Sequence, residues 1–180
     1  MREVEIKVSI DNVAKIENKL VSLGVKLREA KKQHDVVYGE PHAEDNALNA
    51  NWLRIRTEND SKVYFTLKRS VVGHLDSIEH EVVVDNAKEL EAIILSLGFK
   101  LYSDLTKVRR SGTYNGIELC VDEVPGLGSF IEAEKLVDDH ESDHDKVVED
   151  LWALFSKLGL TKDKEVHEGY DVLERKQRGL

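Results

Sequence analysis

Acidic residues recur in this chain as pairs with one residue between them. The pairs are Glu3 and Glu5, Glu79 and Glu81, and Glu132 and Glu134. Because side chains alternate across a β-strand, both members of a pair lie on one face if the segment is extended. Carboxylate oxygens are hard ligands of the kind that Mg²⁺ and Mn²⁺ prefer. The pairs therefore indicate a site for a divalent metal.

Basic residues follow the same alternation. The candidates are Lys7, Arg54, Arg56, Lys68, Lys107 and Arg109. Arginine grips phosphate oxygens through two hydrogen bonds at once, whereas lysine acts as a movable point charge. So many cations suit an extended anion, for which three linked phosphates are the obvious candidate.

The elements that carry these residues are strands with one charged and one apolar face. In the first strand, Val4, Ile6 and Val8 oppose the charged residues, and the later strands repeat this alternation. The pattern predicts strands at 3–8, 25–38, 52–57, 62–69, 77–84, 99–111, 113–121 and 129–134. A turn at Asn59-Asp60-Ser61 predicts a hairpin. Gly112 is predicted to form a second turn.

Helical stripes of apolar residues separate some of the strands. Two of them follow an Asp-Asn pair that can cap a helix, at 11–12 and 85–86, and end at Gly24 and Gly98. A third amphipathic helix is predicted at 147–158, and a charged terminal helix at 166–178. The order of Glu-x-Glu strand, capped helix, Leu-Gly and long strand occurs twice and suggests an internal repeat.

The fold class predicted from these elements is α+β. The helices can cover the apolar faces of the strands, and the charged faces need another environment. A closed antiparallel barrel would place the charges in its lumen and the apolar side chains outside, beneath the helices. Buried charges cost several kcal/mol each unless they are compensated, so clustered carboxylates in such a lumen require cations.

The motifs in this order resemble those of the CYTH family, which includes class IV adenylyl cyclases and thiamine triphosphatases and belongs to the triphosphate tunnel metalloenzymes. The resemblance rests on Glu3-x-Glu5-x-Lys7, Leu53-Arg54-Ile55-Arg56, Thr66-Leu67-Lys68, Lys107-x-Arg109 and Glu132-x-Glu134. It implies a closed eight-stranded antiparallel β-barrel that forms a triphosphate tunnel. The lumen of this barrel would be charged, and the helices would pack outside it. The barrel core would span residues 1–137 and the C-terminal helices 145–180 of a single domain, 1–180.

The resemblance also implies roles for individual residues. Metal ligands are expected at Glu3, Glu5, Glu81, Asp122, Glu132 and Glu134, with Mg²⁺ or Mn²⁺ as the cofactor. Triphosphate ligands are expected at Lys7, Arg54, Arg56, Lys68, Lys107 and Arg109. Catalysis is expected to depend on Glu3, Glu5, Lys7 and Asp122.

Three activities are compatible with this pattern. The chain length and the segment 124–134 favour an adenylyl cyclase that converts ATP to cyclic AMP and pyrophosphate. The alternatives are a triphosphatase acting on tripolyphosphate, thiamine triphosphate or a nucleoside triphosphate, and a non-catalytic triphosphate-binding module. Tyr38 is interpreted as a barrel-wall aromatic, although some triphosphatases activate water with a tyrosine–lysine pair.

The composition limits the kinds of partner that the protein is expected to bind. A net charge of −9, from 35 acidic and 26 basic residues, argues against nonspecific nucleic-acid binding. No apolar run is long enough for a membrane span, so a cytoplasmic protein without membrane contact is expected.

The single cysteine, Cys120, excludes an internal disulfide, and we expect it to pack within the barrel wall. The resemblance also allows a homodimer, since related cyclases dimerise, although the sequence carries no interface signature.

Three further features have less direct interpretations. His140 and His144 have metal-ligand spacing, but they lie in an acidic run that favours a solvated loop and a helix start. The predicted loop at 40–51 is the part least like the family. Trp52 is expected to be a core or rim aromatic, able to stack on a base if it lies at an opening.

Overall fold

A computed structural model describes residues 2–41, 50–70, 75–138 and 144–180. Most of the predicted loop at 40–51 lies outside these residues, as does His140. His144 is the first residue of a helix, as the sequence predicts.

Eight strands form a closed antiparallel barrel, which confirms the predicted fold class. The hydrogen-bonded order around the barrel is β1-β5-β4-β3-β2-β6-β7-β8. The strands are β1 (Arg2–Ile10), β2 (Lys31–Gly39), β3 (Asn51–Glu58), β4 (Lys62–Ser70), β5 (Asp76–Val84), β6 (Lys100–Tyr114), β7 (Ile117–Val124) and β8 (Gly128–Val137). The predicted turn at 59–61 joins β3 to β4: Asn59 and Asp60 both have positive φ, and the Ser61 amide donates to the Glu58 carbonyl at 3.1 Å.

Four α-helices accompany the strands in the described chain: α1 (Val13–Ser22), α2 (Ala87–Ser96), α3 (His144–Lys157) and α4 (Tyr170–Gln177). The predicted caps are present, because the side chain of Asn12 accepts a bond from the Lys15 amide and that of Asn86 from the Glu89 amide. Gly24 and Gly98 follow the first two helices with φ of 89° and 93°. None of the described helices has the length and apolar character needed to span a membrane.

The predicted turn at Gly112 is wrong. Gly112 lies inside β6, and the turn to β7 is formed by Asn115 and Gly116, both with positive φ. Gly112 is required for another reason: a Cβ there would lie 2.6 Å from Val25 Cγ1 and 2.8 Å from the Lys26 carbonyl oxygen. The segment before β2 thus crosses β6 at close range.

The predicted starts of β2 and of the last helix are also wrong. Residues 25–30 precede β2 without belonging to it, although the Arg28 amide donates to the Ser111 carbonyl at 2.8 Å. Near the C-terminus, Val166 is not helical, because its amide donates to the Lys7 carbonyl at 2.9 Å. Glu165 forms an isolated bridge with Val8, and α4 begins only at Tyr170.

The chain divides into two compact units. The first comprises Met1–Lys31 and Val108–His167. Its core joins the apolar faces of β1, β7 and β8 to the buried faces of α1 and α3, and includes Val8, Leu20, Ile131 and Phe155. Each of these strands therefore has its opposite face left for polar side chains.

The second unit comprises Lys32–Lys107 and Glu168–Leu180. One face of its strands packs Tyr38, Leu53 and Ile55 against Ile94 of α2. On the opposite face, Val37 and Trp52 pack with Tyr102 and with Val172 of α4. Two separate apolar clusters therefore lie on the two faces of this part of the sheet.

Candidate active site

Seven charged residues of the first unit lie opposite its apolar core, and we call them the acidic cluster. Strand registers bring them together, since Glu5 is paired with Glu134, Lys7 with Glu132, and Arg109 with Asp122. The cluster comprises Glu3, Glu5, Lys7, Arg109, Asp122, Glu132 and Glu134. Every one of these residues was predicted from the sequence as a site residue.

Arg109 joins three carboxylates of this cluster. Its Nε and Nη2 donate to the two Asp122 oxygens at 2.8 and 2.6 Å, and Nη2 also contacts Glu132. Nη1 donates to Glu134 at 3.3 Å. Burial opposes the charged form of Arg109, but Asp122 and Glu132 outweigh that effect and raise its pKa well above the usual value.

Lys7 contacts two carboxylates of the acidic cluster. Its Nζ lies 3.2 Å from Glu5 Oε1 and 3.2 Å from Glu132 Oε1, and its side chain is only 2% exposed. Burial alone would lower the pKa of Lys7, but the two carboxylates raise it, so the ammonium stays charged.

Glu3, Glu5 and Glu134 have the geometry expected of metal ligands. One carboxylate oxygen from each lies within 4.8 Å of the others, and Cys120, Glu132 and Glu134 form a second group of this size. Burial raises the pKa of Glu134 well above its usual range, and nearby Glu3 and Glu132 add to this despite Arg109. Carboxylate oxygens clustered in this way could hold a hard divalent cation such as Mg²⁺ or Mn²⁺.

The sequence predicts that Cys120 packs within the barrel wall, but sequence reasoning missed that it lies on the face of β7 that carries Asp122. It is paired with Glu132 across β7 and β8 and is buried on the charged face. Burial raises the pKa of its thiol far above the usual value, so it is neutral and not a nucleophile. The only indication in the sequence was that Cys120 lies two residues before Asp122 in β7, which places both side chains on one face.

The second unit carries another charged group, which we call the basic cluster. It comprises the cations Arg54, Arg56, Lys68 and Lys107 with the carboxylates Asp35, Glu79 and Glu81. In β3, β4 and β5 these residues are cross-strand neighbours: Arg54 opposes Thr66, which opposes Glu81, and Lys68 opposes Glu79. Glu81, predicted as a metal ligand, thus lies among cations, and its metal role stays a prediction.

Contacts within the basic cluster order its side chains. Lys68 Nζ lies 3.0 Å from Glu79 Oε1, and Arg54 Nη2 donates to Thr66 Oγ1 at 3.1 Å. The Thr66 hydroxyl in turn donates to Glu81 at 2.9 Å. Burial would raise the pKa of Glu79, but Lys68 and Arg54 lower it to about 2.

Asp35 is a second residue that sequence reasoning missed. Its two oxygens accept from Nε and Nη2 of Arg56 at 2.7 and 2.6 Å, a bidentate pair that is mostly buried. Burial raises the pKa of Asp35, but Arg56 outweighs burial and holds the pKa well below its usual range. Two of the five N–H groups of Arg56 are thereby engaged.

Lys107 and Tyr38 are the two remaining residues that the sequence analysis considered for the site. Lys107 is buried, and its Nζ lies 4.7 Å from the ring centre of Tyr170 in α4. Tyr38 packs in the apolar cluster beneath α2, where its hydroxyl donates to Glu91 at 2.8 Å. Tyr38 is therefore a wall aromatic, and it is not on the face that carries Arg54 and Arg56.

Known proteins resemble this chain over nearly its whole length. The model of the CYTH domain matches residues 1–170. A protein of Methanocaldococcus jannaschii named "putative adenylate cyclase" is 33% identical over 172 residues, which cover 94% of this chain and 97% of that protein.

Solved structures share the fold. A conserved hypothetical protein from Pyrococcus furiosus has a TM-score of 0.82 and 26% identity, with 95% of this chain and 99% of that chain covered. A protein of Hippeastrum named "putative adenylyl cyclase" has a TM-score of 0.59 and 17% identity, with 93% of this chain and 90% of that chain covered, and it is described as having a dominant triphosphatase activity. Since the family model spans most of the sequence, the chain belongs to the CYTH domain family.

Proposed function

We propose that this protein is a metal-dependent enzyme that acts on a triphosphate, and that its reaction is the conversion of ATP to cyclic AMP and pyrophosphate. The observation that carries the proposal is the grouping of Glu3, Glu5 and Glu134 oxygens within 4.8 Å. Membership of the CYTH family supports the general chemistry. The name of the M. jannaschii relative supports the cyclase reaction in particular.

The charge of the acidic cluster favours a bound divalent ion. Its five carboxylates exceed its two cations, Lys7 and Arg109, by three. Burial and the neighbouring carboxylates raise the pKa of Glu134, so a bound cation would stabilise its ionised form. One Mg²⁺ or Mn²⁺ ion would offset two of the three excess negative charges, with Glu3, Glu5, Glu132 and Glu134 as the proposed ligands.

The basic cluster has the opposite balance, with four cations against three carboxylates. We assign triphosphate binding to Arg54, Arg56, Lys68 and Lys107. Lys68 has a flexible stem and can exchange Glu79 for a phosphate oxygen, whereas Arg56 is held in place by Asp35. Fixed and movable cations together can neutralise charge that develops on a leaving group.

The reaction would proceed by attack of the ribose 3′-hydroxyl oxygen on the α-phosphorus, and the hydroxyl proton would pass to solvent as the new bond forms. The bond from the α-phosphorus to the bridging oxygen breaks, and pyrophosphate departs with that oxygen. A bound divalent ion would supply Lewis-acid polarisation of a phosphoryl oxygen. Lys7 and Arg109 would keep the carboxylates ionised and oriented, since both contact Glu132.

Triphosphate hydrolysis is the second candidate. In this reaction water attacks the terminal phosphorus, and the same metal ligands and cations are needed. The observation that favours hydrolysis is the shared fold with the Hippeastrum protein. That protein is named a "putative adenylyl cyclase" and is described as having a dominant triphosphatase activity. Tyr38 gives it no support here, because that tyrosine packs beneath α2.

A product assay distinguishes the candidates. The protein would be incubated with ATP, and separately with tripolyphosphate, in Mg²⁺ and in Mn²⁺, and the products separated by chromatography. Cyclic AMP with pyrophosphate is the expected result. Orthophosphate from tripolyphosphate without cyclic AMP would establish the hydrolase instead. Tight binding of both compounds without any product would indicate a binding module.

A further inference from the structure

Side-chain exposure rises steadily along the charged face of β5. Ser77 is 1% exposed, and the side chains of Glu79 and Glu81 are 20% and 44% exposed. Val83, the next residue on this face, is 57% exposed. The basic cluster therefore has a closed end near Ser77 and an open end near Val83.

The closed end is filled by aromatic and apolar side chains. Trp52 is paired with Lys68 across β3 and β4, and its ring centre lies 4.6 Å from that of Tyr102. Val172 of α4 packs into the same buried group. Trp52 is therefore buried among these side chains and is not available to stack on a base.

The open end carries an aromatic ring and an aliphatic side chain side by side. Tyr64 is paired with Arg56 on one side and with Val83 on the other, so all three lie on one face. Tyr64 is partly buried, and the ammonium of the exposed residue Lys62 lies 4.7 Å from its ring centre. Val83 is an exposed apolar residue on a face that otherwise carries charged side chains, so together with Tyr64 it offers an apolar surface next to Arg56.

These positions form a series along the strands. From Lys68 through the level of Arg54 and Thr66 to Tyr64, the chain advances four residues, or about 13 Å at the usual rise of a strand. The cations Lys68, Arg54 and Arg56 occupy three successive levels along the strands, and Tyr64 and Val83 lie beside Arg56 at the last of these levels. An extended anion with an apolar group at one end matches this order of side chains.

We infer that Tyr64 and Val83 are specificity-determining residues that bind the planar organic group of an organic triphosphate such as a nucleotide base. This inference rests on the proposed function and deepens it. The terminal phosphate would lie toward Lys68, and the organic group would stack on the Tyr64 ring beside Arg56. Inorganic tripolyphosphate has no group that reaches these two side chains.

The test compares ATP with tripolyphosphate. Binding of each is measured by titration calorimetry in Mg²⁺ for the wild type, Tyr64→Ala and Tyr64→Phe. Because stacking of a base on an aromatic ring contributes about 1–3 kcal/mol, Tyr64→Ala should weaken ATP binding about tenfold or more. Tripolyphosphate binding should stay within about twofold, and Tyr64→Phe should retain most of the ATP affinity because it keeps the ring.

A matched pair of valines gives a second measurement that does not depend on the aromatic ring. Val82 and Val83 are adjacent and both 57% exposed, but Val82 is paired with Phe65 and lies on the opposite face. Val83→Ser should weaken ATP binding several-fold, and Val82→Ser should leave it unchanged. Both variants should bind tripolyphosphate like the wild type.

The outcomes separate this inference from the proposed function. Equal losses for ATP and tripolyphosphate in Tyr64→Ala, or no loss for ATP, would overturn the assignment of Tyr64 and Val83. Wild-type protein that binds tripolyphosphate but not ATP would also overturn it, while leaving triphosphate chemistry in place. Wild-type protein that binds neither compound would overturn the proposed function itself and the inference with it.

Discussion

Replacing Arg109 by methionine would test whether the acidic cluster depends on one guanidinium. Methionine keeps much of the length of the side chain but removes its charge and all its donors. Arg109 contacts Asp122, Glu132 and Glu134, and its side chain is 14% exposed. Without it, five carboxylates would be balanced by Lys7 alone.

The expected loss in the free energy of unfolding follows from the burial of Arg109 and its carboxylate partners. Removing one partner of a buried ion pair costs about 3–5 kcal/mol, because the remaining charge is left uncompensated. A typical domain has a total stability of about 5–15 kcal/mol, so Arg109→Met should remove a large share of it. With a urea dependence of about 2 kcal/mol per M, a loss of about 4 kcal/mol would lower the unfolding midpoint by about 2 M.

The assay is urea unfolding followed by circular dichroism at pH 7 with a chelator present. The control is Arg110→Met, since Arg110 is the next residue of β6 and its side chain is 40% exposed, 3.4 Å from Glu17. An exposed pair of this kind contributes about 0–1 kcal/mol. Equal losses in the two variants, or a loss below about 1 kcal/mol for Arg109→Met, would refute the reasoning.

Three other substitutions test separate parts of the structure. Asp35→Asn should cost about 3–5 kcal/mol at pH 7 by leaving Arg56 buried without its partner. Because Arg56 depresses the pKa of Asp35, the stabilisation is complete above the unfolded pKa of about 3.9 and is lost as the pH falls through the folded pKa. Urea unfolding should therefore show a smaller difference from wild type at pH 3 than at pH 7, and an equal difference would contradict this. Gly39→Ala would place a Cβ 2.6 Å from the Trp52 ring, so thermal unfolding and tryptophan fluorescence should show a loss of about 1–3 kcal/mol and a shifted spectrum; an unshifted spectrum at wild-type stability would contradict the packing. Glu134→Gln should lower metal-dependent turnover by orders of magnitude while the protein stays folded, because it removes a proposed ligand and relieves repulsion with Glu3 and Glu132; wild-type turnover of ATP and tripolyphosphate would remove Glu134 from the site.

Alternation predicted the faces of the strands because it is a local property. In β1, the period of two puts Glu5 and Lys7 opposite Val4 and Ile6, and no tertiary context is needed to see this. The same rule placed Glu132 and Glu134 on one face of β8. Caps at Asn12 and Asn86 were also predictable, since a capping side chain bonds to an amide three residues away.

Features that depend on pairing between distant segments were not predictable. Asp35 follows Lys31-Lys32-Gln33-His34, where no alternation marks it, and its partner Arg56 is known only from the register of β2 and β3. Gly112 resembles a turn residue in sequence, but it is needed where Val25 crosses β6. Both cases require knowledge of which strands are neighbours.

The pairing inside the basic cluster also changes how its charges should be counted. Sequence alone counts Arg54, Arg56 and Lys68 as cations for a substrate, yet in the structure each contacts a carboxylate of the same unit. Arg56 is held by a bidentate partner and therefore serves best as a fixed charge. Lys68 contacts Glu79 at 3.0 Å in a partly exposed position and has a flexible stem, so it can turn toward an anion at lower cost than Arg56. Since Glu79 has a pKa of about 2, it stays ionised near neutral pH and holds Lys68 in place until a more highly charged group replaces it. A triphosphate carries more negative charge than a single phosphate and would therefore compete more strongly with Glu79, which contacts both Arg54 and Lys68. The carboxylates of this cluster would thus favour polyphosphates over monophosphates, even though the same carboxylates weaken the attraction for any anion.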